Sequence, residues 1–289
     1  MPFGAFGLSG SIPFWKLQSI GNDFPLFHGH DLRELDLADL AKRASDRKFG
    51  IGGDGILIAE RLGEGSVKMR MFNPDGTEDF CGNGLRIAAW HAFQNQWVGS
   101  KFVLLHGGQE ISTEVHPDGS IATKLGPASY SPTDVPTTAD HELFDVPIAE
   151  FEGRQWIGSA LTTGSTHTIL PVEALPTDEE LAKFGPELEY LPLFPDRTSI
   201  IFCQEVEPKH LRIRIWERGV GETLGCGTGS SAAAVDYMRR TQGSGSVVVE
   251  NPGGSITVSL DSWNSPIDVV GRATQTYSGT FHYKKSPQD

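Results

Sequence analysis

The sequence predicts an α+β protein built as two pseudo-symmetric halves, and three observations carry that prediction. Cys81-Gly82-Asn83-Gly84 and Cys226-Gly227-Thr228-Gly229 are two copies of Cys-Gly-x-Gly, set about half a chain length apart. Gly76 and Gly221 each precede their cysteine by five residues, and each is followed by a Thr and a Glu. Each motif runs on into helix-compatible residues and then into a strand pair punctuated by glycines, Gly107-Gly108 in one copy and Gly253-Gly254 in the other. Such self-similarity marks one supersecondary unit used twice. Two copies make a duplicated domain, with the two cysteines predicted to meet across a pseudo-twofold axis.

The elements follow in order. Phe14 to Ile20 is an apolar segment that begins the first sheet, and Gly21 to Phe24 reads as a turn. Leu32, Leu35, Leu37 and Leu40 have partly helical spacing, which predicts a helix over Asp31 to Arg43 with Asp31 as its N-cap. A Gly-rich loop, Gly50 to Gly55, leads into a strand at Ile56 to Glu60, and a second strand at Val67 to Phe72 delivers Asn73. Leu85 to Trp90 and Ser230 to Val235 propagate the two cysteine helices, since Ala and Leu favour helix. Strands follow at Phe102 to Leu105 and Glu110 to Val115, then a turn at Pro117-Asp118-Gly119. The polar, Pro-containing stretch Ser131 to Glu142 reads as a linker, dividing the chain into residues 1–137 and 138–289. Pro186 to Asp196 reads as loop, and Arg212 to Trp216 alternates as a half-buried strand does. Strands at Ser246 to Glu250 and Ser255 to Leu260 repeat the pair of the first half. A strand at 270–283 is placed to cross back to the first domain. The first fourteen residues read as a flexible or edge-strand start, and those after Tyr283 as a frayed end.

Composition excludes several classes. The net charge is −13 over 289 residues, which argues against a nucleic-acid partner, because phosphate backbones require clustered Lys and Arg. Three cysteines are too few for a disulfide framework and fit a reducing, cytoplasmic compartment. The longest apolar runs, such as Ile56 to Ala59, fall far short of the roughly 20 residues of a membrane span. The N-terminus carries no basic leader region. No His, Cys or Asp grouping has metal-ligand spacing, and no Lys sits in a pyridoxal context.

The cysteine motifs carry the chemistry. Each glycine segment is predicted at a helix N-terminus, whose first N–H groups lack internal partners and sit at the positive end of the dipole. Those groups bind anions directly, favour the thiolate of a neighbouring cysteine, and are approached closely where the backbone is glycine. Two such units facing each other offer two thiols and two sets of donors. A small carboxylate ligand can sit on the helix ends with one sulfur on each side. One sulfur as thiolate removes the α-proton, and the other as thiol returns a proton to the opposite face. That inverts a stereocentre without a cofactor. The plainer alternative is a pair of small buried residues in helix–sheet packing, and a redox pair is a third. Cys203, in the strand-like Ile200 to Cys203, has no glycine partners and reads as core.

These segments resemble the two signature regions of the diaminopimelate epimerases, cofactor-independent two-cysteine enzymes of lysine and peptidoglycan precursor synthesis. The resemblance runs from about Trp15 to about Tyr283. It includes Gly21-Asn22-Asp23-Phe24, Gly50 to Gly55, Asn73-Pro74-Asp75-Gly76 and Trp216 to Gly229. It implies two domains, each a curved, mostly antiparallel sheet or barrel around a central helix. It implies epimerisation of L,L- to meso-diaminopimelate by Cys81 and Cys226, in a homodimer with no cofactor, metal, nucleic acid or membrane partner. Gly82, Asn83, Gly227 and Thr228 then supply donors to the α-carboxylate.

Other residues carry two readings each. Asn22 and Asn73 are turn residues by local chemistry, and substrate contacts by resemblance. Glu217 and Arg218 read as a surface pair, or by resemblance as the groups that hold the distal amine and carboxylate. The Arg fork suits a carboxylate. His167 is a structural histidine, or by resemblance a neighbour of the site that helps set thiol protonation. Gly50 to Gly55 lacks the Lys of a phosphate loop and reads as a structural turn, with Asp54 supporting the fold around the first cysteine. The chain departs from the family at Ser165 and Ser199, where asparagines that hold the distal end are usual. Rival functions are a racemase or epimerase of another amino acid, a cysteine hydrolase with His167 as base, and a non-catalytic binding protein.

Overall fold

The structure, a computed structural model, describes residues 9–32, 34–151 and 153–284. Of the first fourteen residues, read as a flexible or edge-strand start, 1–8 lie outside the described residues and 9–14 are strand; of the end after Tyr283, read as frayed, 284 is strand and 285–289 lie outside. The chain divides into two compact units, Met1–Gly119 with Ala273–Asp289, and Ser120–Arg272. The first division follows the turn at Pro117 to Gly119. The Pro-containing stretch Ser131 to Glu142 lies inside the second unit as a packed loop, where Thr138 N–H donates to Leu193 O at 2.9 Å.

The first unit opens with β1 (Ser9–Ser19), β2 (Asn22–His28), a short 3-10 turn (Gly29–Leu32) and α1 (Leu37–Ser45). β3 (Ile56–Arg61), β4 (Ser66–Phe72), β5 (Glu78–Asp79), α2 (Gly82–Gln94), β6 (Lys101–His106) and β7 (Gln109–Val115) follow. The second unit holds β8 (Ile121–Leu125), β9 (Val146–Phe151), β10 (Arg154–Thr162), β11 (Thr166–Pro171), α3 (Asp178–Glu189), β12 (Ser199–Glu207) and β13 (His210–Glu217). It continues with β14 (Gly221–Thr223), α4 (Gly227–Thr241), β15 (Gly245–Asn251), β16 (Gly254–Leu260) and β17 (Ile267–Gly271). β18 (Thr274–Lys284) then returns to the first unit and pairs antiparallel along β1, from Gly10↔Tyr283 to Gln18↔Thr274.

The duplication holds strand by strand. β1–β2 is antiparallel, β2–β3 parallel, β3–β4 antiparallel, β4 pairs antiparallel with β5 and parallel with β6, and β6–β7 is antiparallel. The second unit repeats this sequence of joints from β10 through β16. Even the register matches. Ile56↔Phe72 and Phe72↔Glu78 in the first unit correspond to Ile200↔Trp216 and Trp216↔Glu222 in the second. Alternation places the side chains: in β13, Leu211, Ile213 and Ile215 are buried while Arg212 is exposed.

Each unit wraps its sheet around one helix. α2 touches β1, β2, β3, β4, β6 and β7, and α4 touches β10 through β13 and β15 through β17. Both are buried on nearly every face, as helices at the centre of a layer must be. In α4 every residue from Gly227 to Asp236 is buried. Small side chains make that enclosure feasible, and the polar ones turn inward: Ser230 and Ser231 hydroxyls donate to Cys226 O and Gly227 O at 2.8 and 2.9 Å. In α2, the fully buried Arg86 donates to Ser19 Oγ at 3.1 Å and to Asn83 Oδ1.

Three element predictions are corrected. The turn expected over Gly21 to Phe24 is confined to Ile20 and Gly21, and β2 begins at Asn22. The helix expected from Asp31 starts at Leu37, because Asp36 is the residue whose carboxylate accepts from Ala38 N and Asp39 N. Pro186, read as opening a loop, lies inside α3. A capping box between Thr177 and Glu180 secures the helix start. Leu181, Phe184 and Leu188 bury against Trp156 and Phe202. Proline removes one helix hydrogen bond, and the buried apolar face offsets that loss.

Candidate functional site: two cysteine-capped helix N-termini

In the first unit, Cys81 is the N-cap of α2. Its φ of −136° is extended, and its Sγ accepts Gly84 N–H at 3.2 Å. Gly84 has no room for a side chain, since a Cβ there would lie 2.9 Å from Leu57 Cδ2. The Cys81 N–H donates to His106 Nε2 at 3.0 Å, and His106 Nδ1 donates to Met69 O at 3.1 Å. A carbonyl and an N–H on opposite sides fix the imidazole as the neutral Nδ1–H tautomer. Burial also lowers the basicity of His106.

Asn22 and Asn83 sit beside this sulfur. Asn83 Nδ2 donates to Asn22 Oδ1 at 3.2 Å, and Cys81 Sγ lies 3.9 Å from the same oxygen. Asn22 Nδ2 donates to Asp54 Oδ2 at 2.6 Å, and Arg47 holds the other Asp54 oxygen at 2.7 Å. The Gly50 to Gly55 loop is thus a close-packing device. A Cβ at Gly53 would fall 2.8 Å from Pro25 Cδ, and one at Gly55 would fall 2.3 Å from Phe72 O. Asn73 closes the β4–β5 turn, half-buried, with its Nδ2 donating to Thr77 Oγ1 at 3.1 Å.

The second unit repeats the backbone with other side chains. Cys226 caps α4, and its Sγ accepts Gly229 N–H at 3.3 Å. Its own N–H donates to Asn251 Oδ1 at 3.3 Å, so Asn251 takes the place of His106. Thr228 Oγ1 lies 3.3 Å from Cys226 Sγ, 3.0 Å from Ser165 Oγ and 3.1 Å from His167 Nε2, and Ser165 Oγ meets His167 Nε2 at 3.0 Å. Burial first, and then the Arg218 charge, push His167 down to about 3, so it is neutral. Cys203 lies in the core of β12, where burial pushes its thiol up to about 12.

Glu217 and Arg218 end β13. Glu217 Oε1 accepts from Thr223 Oγ1 at 2.6 Å. Ser199 Oγ accepts the Arg218 N–H at 3.1 Å, and Arg218 Nη1 reaches Asp196 O at 3.3 Å. The two serines are therefore both engaged within the unit, Ser165 on His167 and Thr228, Ser199 on the Arg218 backbone. Residue-by-residue reading missed Glu189. This buried carboxylate accepts from Gly219 N at 2.9 Å, Trp216 Nε1 at 2.8 Å and Arg197 Nη1 at 3.0 Å, and so holds the turn that carries Arg218. His106 and Asn251 were also missed, although each follows its cysteine by twenty-five residues. That matched offset was the available signal.

Comparison with known proteins places the chain. The sequence profile described as diaminopimelate epimerase matches residues 14–131 and 159–274. The chain belongs to the diaminopimelate epimerase family. Among relatives, the diaminopimelate epimerase of Trichodesmium erythraeum is 34% identical over 273 residues, covering 92% of this chain and 98% of the relative. That of Azotobacter vinelandii is 34% identical over 277 residues, covering 93% and 98%. Solved structures share the fold at low identity. A hydroxyproline epimerase from Agrobacterium vitis is 12% identical with a TM-score of 0.67, covering 93% of this chain and 90% of the other. A phenazine biosynthesis protein of the PhzF family from Bacillus anthracis is 16% identical with a TM-score of 0.66, covering 94% and 99%.

Membership in the diaminopimelate epimerase family makes the chain an isomerase and agrees with its α+β architecture of mostly antiparallel strands. Among the described residues no helix is long and apolar enough to cross a membrane. His28, His30 and Asp31 place possible ligand atoms within 4.8 Å of one another, a grouping that the sequence reading did not register. It lies at the end of β2, apart in the sequence from either cysteine motif.

Proposed function

We propose that this chain interconverts L,L- and meso-diaminopimelate by two-base proton transfer, as a cytoplasmic homodimer in lysine and peptidoglycan precursor synthesis. The observation that carries the proposal is the duplicated cysteine cap: in each unit a sulfur accepts the third amide of a central helix. One sulfur starts as thiolate and takes the α-proton, becoming a thiol. The resulting carbanion takes the proton of the other thiol on its opposite face, and that sulfur becomes the thiolate. Protons and charge balance, so the reaction requires no redox partner. Amides at Gly82-Asn83 and Gly227-Thr228 face charge that builds on the α-carboxylate. Arg218 and Glu217 receive the distal carboxylate and amine.

The Ser165 and Ser199 hydroxyls are already used within the unit, which favours one second reading: proton transfer on a different amino acid. Incubation in deuterated water separates the two. Diaminopimelate should gain one α-deuterium with inversion, and Cys81→Ala and Cys226→Ala should each lower that rate by about 10²–10⁴-fold. Deuterium uptake by another amino acid with none by diaminopimelate rejects the substrate. One silent cysteine variant rejects the two-base chemistry in favour of the hydrolase. A His167 of such low basicity makes a weak general base for that rival.

A further inference from the structure

The strand registers pair every residue around Cys81 with a counterpart around Cys226. Leu26↔Leu57 matches Ile169↔Ile201, which makes Asn22 the counterpart of Ser165 and Asp54 the counterpart of Thr198. Counting from the two cysteines pairs Asn83 with Thr228 and Arg86 with Ser231. The first unit therefore has a carboxylate and a guanidinium where the second has two hydroxyls. Those charges sit at the two ends of one chain of hydrogen bonds, Asp54–Asn22–Asn83–Arg86.

The ends dictate the middle. A guanidinium is only a donor, so Arg86 holds Asn83 by its Oδ1 and leaves Asn83 Nδ2 to donate onward. A carboxylate bound to Arg47 is only an acceptor, so Asp54 holds Asn22 by its Nδ2 at 2.6 Å. Asn22 must then present Oδ1 to Asn83 and to the Cys81 sulfur, 3.9 Å away. Both amide orientations follow from the chemistry of the terminal groups. A carbonyl-type oxygen beside sulfur accepts S–H and repels S⁻. Beside Cys226 the oxygen at 3.3 Å is Thr228 Oγ1, the counterpart of Asn83 rather than of Asn22, and a hydroxyl able to donate.

We propose that Asp54 is a positioning residue that locks the Asn22 amide so that Cys81 rests as the protonated thiol, which leaves Cys226 as the resting base. This rests on the two-thiol reading above and assigns its two roles in the ligand-free enzyme. Asp54 acts through Asn22, whose Nδ2 it holds at 2.6 Å. Its other oxygen contact, to Arg47, is shared with Asp23 at 2.7 Å, so neutralising Asp54 leaves Arg47 paired.

The test is pH-dependent alkylation of the full-length protein with iodoacetamide, read separately at Cys81 and Cys226 by peptide mass spectrometry. In the unaltered protein Cys226 should react at lower pH than Cys81. Asp54→Asn keeps the shape but lets Asn22 turn its Nδ2 toward sulfur. Cys81 alkylation at pH 7 should then rise about tenfold, the counterpart of one pK unit, while Cys226 keeps its profile. Asp54→Glu should restore the original Cys81 profile. Equal or reversed order in the unaltered protein overturns the proposal, even where the variant fails to fold. An Asp54→Asn protein whose cysteines both change, or neither, also overturns it. The two-thiol reading fails by a different measurement, a Cys→Ala variant that retains deuterium exchange.

Discussion

The N-termini of α2 and α4 share a backbone and differ in almost every side chain around it. Each cysteine caps its helix, accepts the amide of the glycine three residues on, and donates its own N–H to a residue at the end of the following strand. At the position two residues after each cysteine, Asn83 reaches away to Asn22 and Arg86, whereas Thr228 leans on the sulfur itself. The difference teaches a division of labour. The repeated backbone gives each cysteine the same amide contact and the same kind of N–H acceptor, because main-chain donors do not depend on the residue. Unrepeated side chains give the two sulfurs different neighbours, Asn22 Oδ1 beside one and Thr228 Oγ1 beside the other.

Glu189 gives the strongest test of this comparison, since among the described residues nothing at the Asn73–Thr77 turn of the first unit plays its part. That turn is closed by its own residues. The Arg218 turn is closed by Val220 N–H on Glu217 O at 3.0 Å and held by Ser199, and is tied in addition to one buried carboxylate, Glu189. Glu189→Ala strands the Trp216 indole and the Gly219 amide and should cost about 2–3 kcal/mol of stability. It should also raise KM for a dicarboxylate more than it lowers kcat, because the backbone beside Arg218 loses its anchor at Gly219. Chemical denaturation and steady-state kinetics check both. An unchanged KM would show that Arg218 is placed without Glu189.

Acid separates the units by a smaller amount. In the first unit burial depresses His91 to about 3, His28 to about 4, and lowers His106. In the second, His167 is depressed to about 3. For each, the unfolded chain binds a proton below pH 6.5 that the folded chain refuses. Stability is therefore intact above that pH and falls as pH drops toward the folded value. The slope is about 1.4 kcal/mol per pH unit for each such proton, and it ends sooner for His28, depressed to about 4, than for His91, depressed to about 3. His210 has the opposite sign: its hydrogen bond to Glu250 raises it, so that pair strengthens as pH falls through the neutral range. Hydrogen exchange at pH 7 and pH 5 should show the first unit losing more protection. Equal losses would remove the histidine asymmetry as a cause.

The smallest effect concerns a repeated ion pair. Arg70–Glu78 and Arg214–Glu222 occupy equivalent places between the fourth and fifth strands of the duplicated unit. The Arg214 side chain is 14% exposed and Arg70 is 36% exposed. Arg214 also donates to Pro176 O at 2.8 Å. Double-mutant cycles should give about 0.5 kcal/mol for the outer pair and roughly twice that for the inner one. Identical couplings would mean that burial does not distinguish them.

Much of this was legible in the sequence because the duplication is written in glycines. Gly84 and Gly229 are required by packing against Leu57 and against Ile201, so the motif survives where side chains have diverged. α1 was displaced because Asp31 and Asp36 look alike as caps, and tertiary packing chose the second. α3 was hidden by Pro186, whose local cost is offset by apolar burial that no window of sequence displays. The packing of His28 against His91 and Trp15 was invisible for the same reason. His28 and His91 meet at 2.8 Å, and His28 stacks on Trp15 with ring centroids 4.2 Å apart, from three separate elements. Glu189 could not be read as the anchor of Arg218, because its partners come from beyond α3.

The pairing of β18 with β1 has a consequence for synthesis. The second unit is one continuous stretch of chain, whereas the first needs Ala273–Asp289 to be whole. A ribosome releases residues in order, so the amino-terminal sheet waits with one edge unpaired until the last strand emerges. During that interval Ser9–Ser19 is the exposed template of a nascent protein, open to the wrong partner. The half made first is the half completed last.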